Sequence, residues 1–233
     1  MRVWKLVAIL PLIQCCALSQ TGIDPKVLEK ANAGDSFAQV YVALSYDLGK
    51  GVEQDHALAA QWFKKAADLG DTSAAVYLGA DYEDGKGVPQ DYAQAASWYL
   101  KAAEREDPWG ERNLALLYLS GNGVAKDPTV AAKWLRKASE QGFSDAQYRL
   151  GGLHCLGVGV PQDYTEAYFW LDLALAGKLS PEAHESAISM KALAQHHLSD
   201  EKVGKIQERA TIWFSQHPPS EYGKLPPSSS PPP

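Results

Sequence analysis

A chain of 233 residues, 45% of them hydrophobic and 21% charged, can bury a sizeable core in one globular or solenoid unit. Its formal net charge of −6 lacks the basic excess that a phosphate backbone demands. That argues against nucleic acid and leaves a basic partner protein, or plain solubility, as the meaning of the acidity.

In chain order, residues 1–19 read as an export signal. Arg2 and Lys5 are the positive flank, Leu6 to Leu12 the apolar stretch, and Ala17-Leu18-Ser19 the small-residue cleavage site. The apolar stretch is too short to span a bilayer. A lipoprotein signal needs a small residue before the lipidated cysteine, and Gln14 precedes Cys15. Cleavage removes two of the three cysteines and leaves Cys155 alone, so no intrachain disulfide can form and packing must supply stability. The expected site of the mature chain is the periplasm or the exterior.

Residues 20–33 hold a short helix opened by Asp24-Pro25. From residue 34 the chain repeats itself with a period of 36. Trp62, Trp98, Trp134 and Trp170 keep that spacing, as do Gly49, Gly85, Gly121 and Gly157, and Gly51, Gly87, Gly123 and Gly159, each of the latter followed by Val. Ala59, Ala95, Ala131 and Ala167 align, and so do Ala66, Ala102, Ala138 and Ala174. Four units result, 34–69, 70–105, 106–141 and 142–177, with no residue inserted or deleted.

Each unit predicts two helices. In the second unit Ala74, Leu78 and Tyr82 form one stripe of a helix that Gly85-Lys86-Gly87-Val88 stops. Asp91 caps the next helix, whose buried stripe is Ala95, Trp98, Tyr99, Ala102 and Ala103. Asp127-Pro128 is a clearer start still, with Pro at the first helical position. Beyond Gly177 the period is lost. Ser180-Pro181 opens a helix to about His197, and Ser199-Asp200 opens a last one to about Gln216, with Ile188, Leu193, Val203, Ile206, Ala210 and Trp213 as the expected inward face. Residues 218–233 are rich in Pro and Ser and are expected to be extended or disordered. The fold expected is all-α: a right-handed α-solenoid of four helix-turn-helix repeats with a capping helix before it and capping helices, 178–217, after it.

The pattern A-x3-L-G-x2-Y-x2-G-x-G-V-x3-D-x3-A-x2-W-x3-A, complete from Ala74 to Ala102, resembles the Sel1-like repeat, a relative of the tetratricopeptide repeat. The units drift from it at Val42-Ala43, Gly110, Ala115, Ala125-Lys126 and His154. The resemblance implies an adaptor that binds proteins and carries no active site or cofactor. It also implies that the first helices line a concave face. Some exported members are immunity proteins that hold a phospholipase-type toxin of a type VI secretion system in check, and a basic or membrane-active secreted effector is the partner that such a role implies. A scaffold for envelope assembly or signalling, or a secreted host-binding factor, is the first alternative, and a penicillin-interacting hydrolase the second.

Motifs for chemistry give way to architecture. The four Gly-x-Gly-Val segments join two helices and follow no strand, unlike a dinucleotide loop. Ser199-Asp200-Glu201-Lys202 matches Ser-x-x-Lys but lacks the accompanying elements of β-lactamases, and Ser199 sits where a helix cap belongs. The cysteine-rich branch of the family linked to penicillin binding has a Cys pair in each repeat, which this chain lacks. His184-Glu185 has Ile188 where a metal site needs a second His. His154 stands in the Tyr column, and Cys155 is expected to be half-buried and unreactive. Function is sought where the repeats differ, on the first helices: Tyr41, Tyr77, Asn113 and Arg149 in one column, Ser45, Asp81, Leu117 and Leu153 in another, with Leu44, Ala80, Leu116 and Gly152 between them. Tyr and Arg are enriched among interface residues.

Overall fold

The computed structural model describes residues 22–217. The expected export signal and the Pro/Ser-rich segment lie outside the described residues. Among them, eleven helices and no strand are found. Helix α1 (Pro25–Asn32) precedes four pairs: α2 (Ser36–Leu48) with α3 (His56–Asp68), α4 (Thr72–Asp84) with α5 (Tyr92–Ala103), α6 (Pro108–Ser120) with α7 (Pro128–Glu140), and α8 (Ser144–Leu156) with α9 (Tyr164–Ala176). Helices α10 (Pro181–His196) and α11 (Asp200–Gln216) close the array. No described helix is long and apolar enough to cross a membrane.

The pairs begin and end for local reasons that recur. Asp55, Asp91, Asp127 and Asp163 each accept a backbone N–H bond at the start of the second helix of a pair. Gly49, Gly85, Gly121 and Gly157 end the first helices in the left-handed conformation. The second turn glycine serves a different purpose. Gly87 has φ +70°, and a Cβ there would lie 2.1 Å from the carbonyl oxygen of His56, at the start of the preceding pair's second helix. Gly123 and Gly159 meet Tyr92 and Pro128 in the same way. Each turn is therefore pressed backbone to backbone onto the unit before it, and only glycine fits.

The columns of small residues are the cores of these junctions. Ala59, Ala95, Ala131 and Ala167 are no more than 1% exposed. The adjoining column of Phe63, Tyr99, Leu135 and Leu171 is buried throughout. In the second and fourth pairs large and small residues meet across the hairpin: a Cβ on Gly79 would fall 2.6 Å from the Tyr99 ring, and one on Gly151 would fall 2.7 Å from Leu171. Trp62, Trp98 and Trp170 are buried and Trp134 is half-buried. Lys65, Lys101 and Lys137, one turn on, place their ammonium groups 3.7, 3.6 and 4.3 Å from the centroids of Trp62, Trp98 and Trp134.

The ends depart from the repeat. Helix α1 occupies the place of a second helix, with Ala31 buried against α2 and its carbonyl accepting a 2.9 Å bond from Gln39 Nε2. Gln147 makes the equivalent bond to the Ser139 carbonyl at 3.1 Å. Helix α10 differs from the sequence expectation. Ala187 and Ala194 face inward, while Ile188 and Leu193 are 49% and 47% exposed. Small residues let α10 lie close to α8 and α9, and the bulky ones are turned out. In α11 the inward residues are as expected: Ile206 and Ala210 are buried, and Val203 and Trp213 are half-buried.

Candidate protein-binding face

The side chains that differ between repeats fall into two classes. Tyr41, Tyr77, Asn113 and Arg149 follow one column of the first helices and reach the surface to different degrees. Tyr41 is 54% exposed. Tyr77 is half-buried and stacks on Phe63 at 4.9 Å between centroids. Burial, and then the Asp47 carboxylate, push its phenol up to about 12. Asn113 accepts a 2.7 Å bond from Arg112 Nη1, and Arg149 donates through Nε to Asp145 Oδ2 at 2.8 Å.

The second column lies deeper. Ser45, Asp81, Leu117 and Leu153 are all buried, so the expectation that they line an open face is corrected. They lie one turn beyond the first column and about 40° round the helix from it, on the flank of the same face that the neighbouring helices cover. Ser45 bonds back to the Tyr41 carbonyl at 2.8 Å. Leu117 and Leu153 belong to the hydrophobic core. Asp81 sits beside Asp47, which Lys86 and His56 hold at 2.8 and 3.0 Å. The column between these two, Leu44, Ala80 and Leu116, is half-buried, and Gly152 is buried, with Met190 of α10 over it.

Two features of this face were not singled out from sequence. On α2, Phe37 and Leu48 are 83% and 43% exposed and share a stripe with Tyr41 and Leu44, at spacings of three and four residues. The apolar run was readable; its exposure was not, because no earlier pair exists to show which stripe stays uncovered. At the other end of the face, Arg112 and Arg149 converge on Asp145. Both donate through Nε to Asp145 Oδ2, at 2.6 and 2.8 Å. Burial works against the charge on Asp145, but Arg112 and then Arg149 hold its carboxyl below the usual range.

The groups singled out for chemistry are structural. Ser199 Oγ accepts the Lys202 N–H as a helix cap. His154 is buried; burial and Arg136 push its imidazole down, and its Nε2 accepts from Arg136 Nη2 at 3.2 Å. Cys155 is 2% exposed rather than half-buried, and burial pushes its thiol up, away from nucleophilic character. No group of three potential metal ligands occurs among the described residues.

Comparison with known proteins returns one family: the Sel1 repeat, matching residues 36–71, 72–107, 110–143 and 144–178. Among solved structures, a protective antigen of uropathogenic Escherichia coli with an SLR fold is similar at 30% identity and a TM-score of 0.72, over 82% of this chain and 40% of that one. A Sel1 repeat protein from Oxalobacter formigenes is similar at 36% identity and a TM-score of 0.62, over 70% of this chain and 48% of that one. The chain thus spans less than half the length of either. A putative Sel1 repeat protein from Klebsiella pneumoniae shares the fold at 23% identity and a TM-score of 0.51, over 80% of this chain and 98% of that one. Comparison with curated protein sequences returned no match.

Proposed function

Because this chain belongs to the Sel1-repeat family, with matched repeats over most of its described length, we propose that it is a non-catalytic binding module that captures another protein on the face formed by its first helices. One observation carries the reading. The Ala59 and Ala66 columns, identical between repeats, are buried, whereas Phe37 and Tyr41, at positions that differ between repeats, stand 83% and 54% exposed. An apolar and aromatic stripe at the surface, continued by Tyr77, Asn113 and Arg149, has the composition of an interface rather than of a solvated helix.

A narrower role goes with it: an exported immunity protein, acting in the periplasm, that neutralises a phospholipase-type effector of a type VI secretion system. Its support is the export-signal pattern of residues 1–19 together with what the family resemblance implies. The test uses Phe37→Ser combined with Tyr41→Ala. Both side chains are exposed, so melting should be unchanged, while titration calorimetry against the secreted protein encoded beside its gene should show at least a tenfold loss of affinity. Unaltered affinity would move the interface off α2. Protection from the effector on co-expression, lost in the same variant, tests the immunity role separately. Binding without protection would leave a scaffold.

A further inference from the structure

Where α6, α8 and the start of α10 meet, the first-helix face holds a cleft of about 360 Å³, at the small end of the range for ligand sites. Arg112, Arg149 and Lys178 line it, with Asp145 as the one carboxylate among its lining residues. The chain as a whole is acidic, at −6, so this concentration of cations is local.

The two guanidinium groups are held in place rather than used up. Asp145 Oδ2 takes the Nε of each, and the Arg112 Nη1 bond goes to Asn113. No described residue accepts a hydrogen bond from the terminal nitrogens of Arg149, and Lys178 has no carboxylate partner among the described residues. Pre-oriented N–H groups beside an ammonium suit a carboxylate, which takes charge-assisted bonds from a planar fork. The side chains of Arg112 and Arg149 are only 24% and 31% exposed, so water weakens such a bond less than it would on an open surface.

Apart from Ser144 and Ser180, the remaining wall is apolar. Trp109 packs edge-on to Phe143 at 4.6 Å between centroids, and Leu179 and Ala183 complete the side toward α10. The backbone adds to the positive end. Phe143 stands where Asp35, Asp71 and Asp107 cap the other first helices, and α8 begins with no side-chain cap.

We infer that this cleft takes an acidic side chain of the bound partner, with an apolar residue next to it seated against Trp109 and Leu179. The inference rests on the protein-binding reading above and gives its C-terminal end a chemistry. An acidic protein would then meet a partner of mixed charge: mainly basic where the overall field guides approach, acidic at the one point that sets register.

The test uses a fluorescein-labelled peptide, Gly-Leu-Glu-Leu-Glu-Gly, and its counterpart with Gln for Glu, followed by anisotropy and by the indole N–H signal of Trp109. The acidic peptide should bind saturably, shift Trp109 and weaken as salt is raised from 50 to 300 mM. The Gln peptide and the Arg149→Gln variant should each bind at least tenfold more weakly. Lys178→Gln should weaken binding several-fold, and because the Lys178 side chain is exposed and forms no hydrogen bond or ion pair with another described residue, that loss would not come from misfolding. Absence of saturable binding, equal binding of the Gln peptide, or unchanged binding by both variants would overturn the inference. So would inorganic phosphate producing the same Trp109 shift and displacing the peptide at equal concentration, which would mean a simple anion site. Full-strength capture of the native partner by the Arg149→Gln, Lys178→Gln double variant would sink the cleft alone. Loss on Phe37→Ser with Tyr41→Ala would still support the face.

Discussion

Asp81 stands on α4 where the other repeats carry Ser45, Leu117 and Leu153, and burial is what sets its behaviour. Burial first, then Asp47, pushes its carboxyl up to about 8, with Lys86 pulling the other way. Its Oδ2 is buried with no hydrogen-bond partner, so a neutral carboxyl is the cheaper state there. Glu111, fully buried on α6, is likewise pushed up to about 7 by burial, against the pull of Lys137. Both folded values lie above the ordinary 3.8 and 4.5, so folding takes up protons between roughly pH 4 and pH 8 and stability falls as pH rises through that window. Asp145 has the opposite sign: its lowered value contributes stability that is lost only when pH falls below the usual carboxylate range. Thermal melts followed by circular dichroism should therefore show a higher midpoint at pH 5.5 than at pH 8. Asp81→Asn should flatten this dependence and stabilise the protein at pH 8 by on the order of 1–3 kcal/mol. An unchanged pH profile in that variant would refute the assignment. The sequence showed that position 81 differs between repeats. It did not show the position to be buried, because a period identifies a stripe but not the neighbour that covers it.

At the scale of single elements, the turn between paired helices makes a sharp comparison possible. Gly87→Ala must hold a side chain at φ +70° and also drive a Cβ into the His56 backbone, whereas Gly34, at φ +94°, has nothing within 4 Å. Urea unfolding should give a loss of about 1–2 kcal/mol for Gly34→Ala, the cost of the left-handed conformation alone, and a clearly larger loss for Gly87→Ala. Equal losses would mean that the contact with the preceding unit contributes nothing. Trp98→Ala should cost about 3–5 kcal/mol, since a 5% exposed indole leaves a cavity between α5 and its neighbours. Helix starts and stops were legible because they depend on residues within one turn: Asp55, Asp91, Asp127 and Asp163 cap, and Gly49, Gly85, Gly121 and Gly157 terminate. The inward face of α10 was not legible. Its orientation depends on how closely it approaches α8 and α9, and Ala187 and Ala194 allow a closer approach than Ile188 or Leu193 would. Hydrophobicity alone ranks those residues the other way.

Across the whole molecule, each pair buries its faces against the pair on either side. The core runs from Ile23 to Ala210 through Trp109, Tyr118 and Trp134, which pack against both of its halves. Interior units have two neighbours and the ends have one, so opening should start at the ends. Native-state hydrogen exchange should find the slowest amides in α4–α7 and the fastest helical ones in α1 and α11, which contribute only Ala31, and Ile206 with Ala210, as buried residues. Uniform protection along the chain would instead mean that the array opens as one body. The arrangement of the units was readable because it repeats; the Arg112–Asp145–Arg149 cluster was not, because it joins residues 33 and 4 positions apart across a junction that no other repeat copies. The glycine pressed onto the preceding unit has one more consequence. Each unit offers its successor a socket made of main chain, which is indifferent to the side chains around it. A tandem duplication of one 36-residue stretch in the gene would therefore be accepted in frame, lengthening the binding face by a whole step while every existing joint kept its shape.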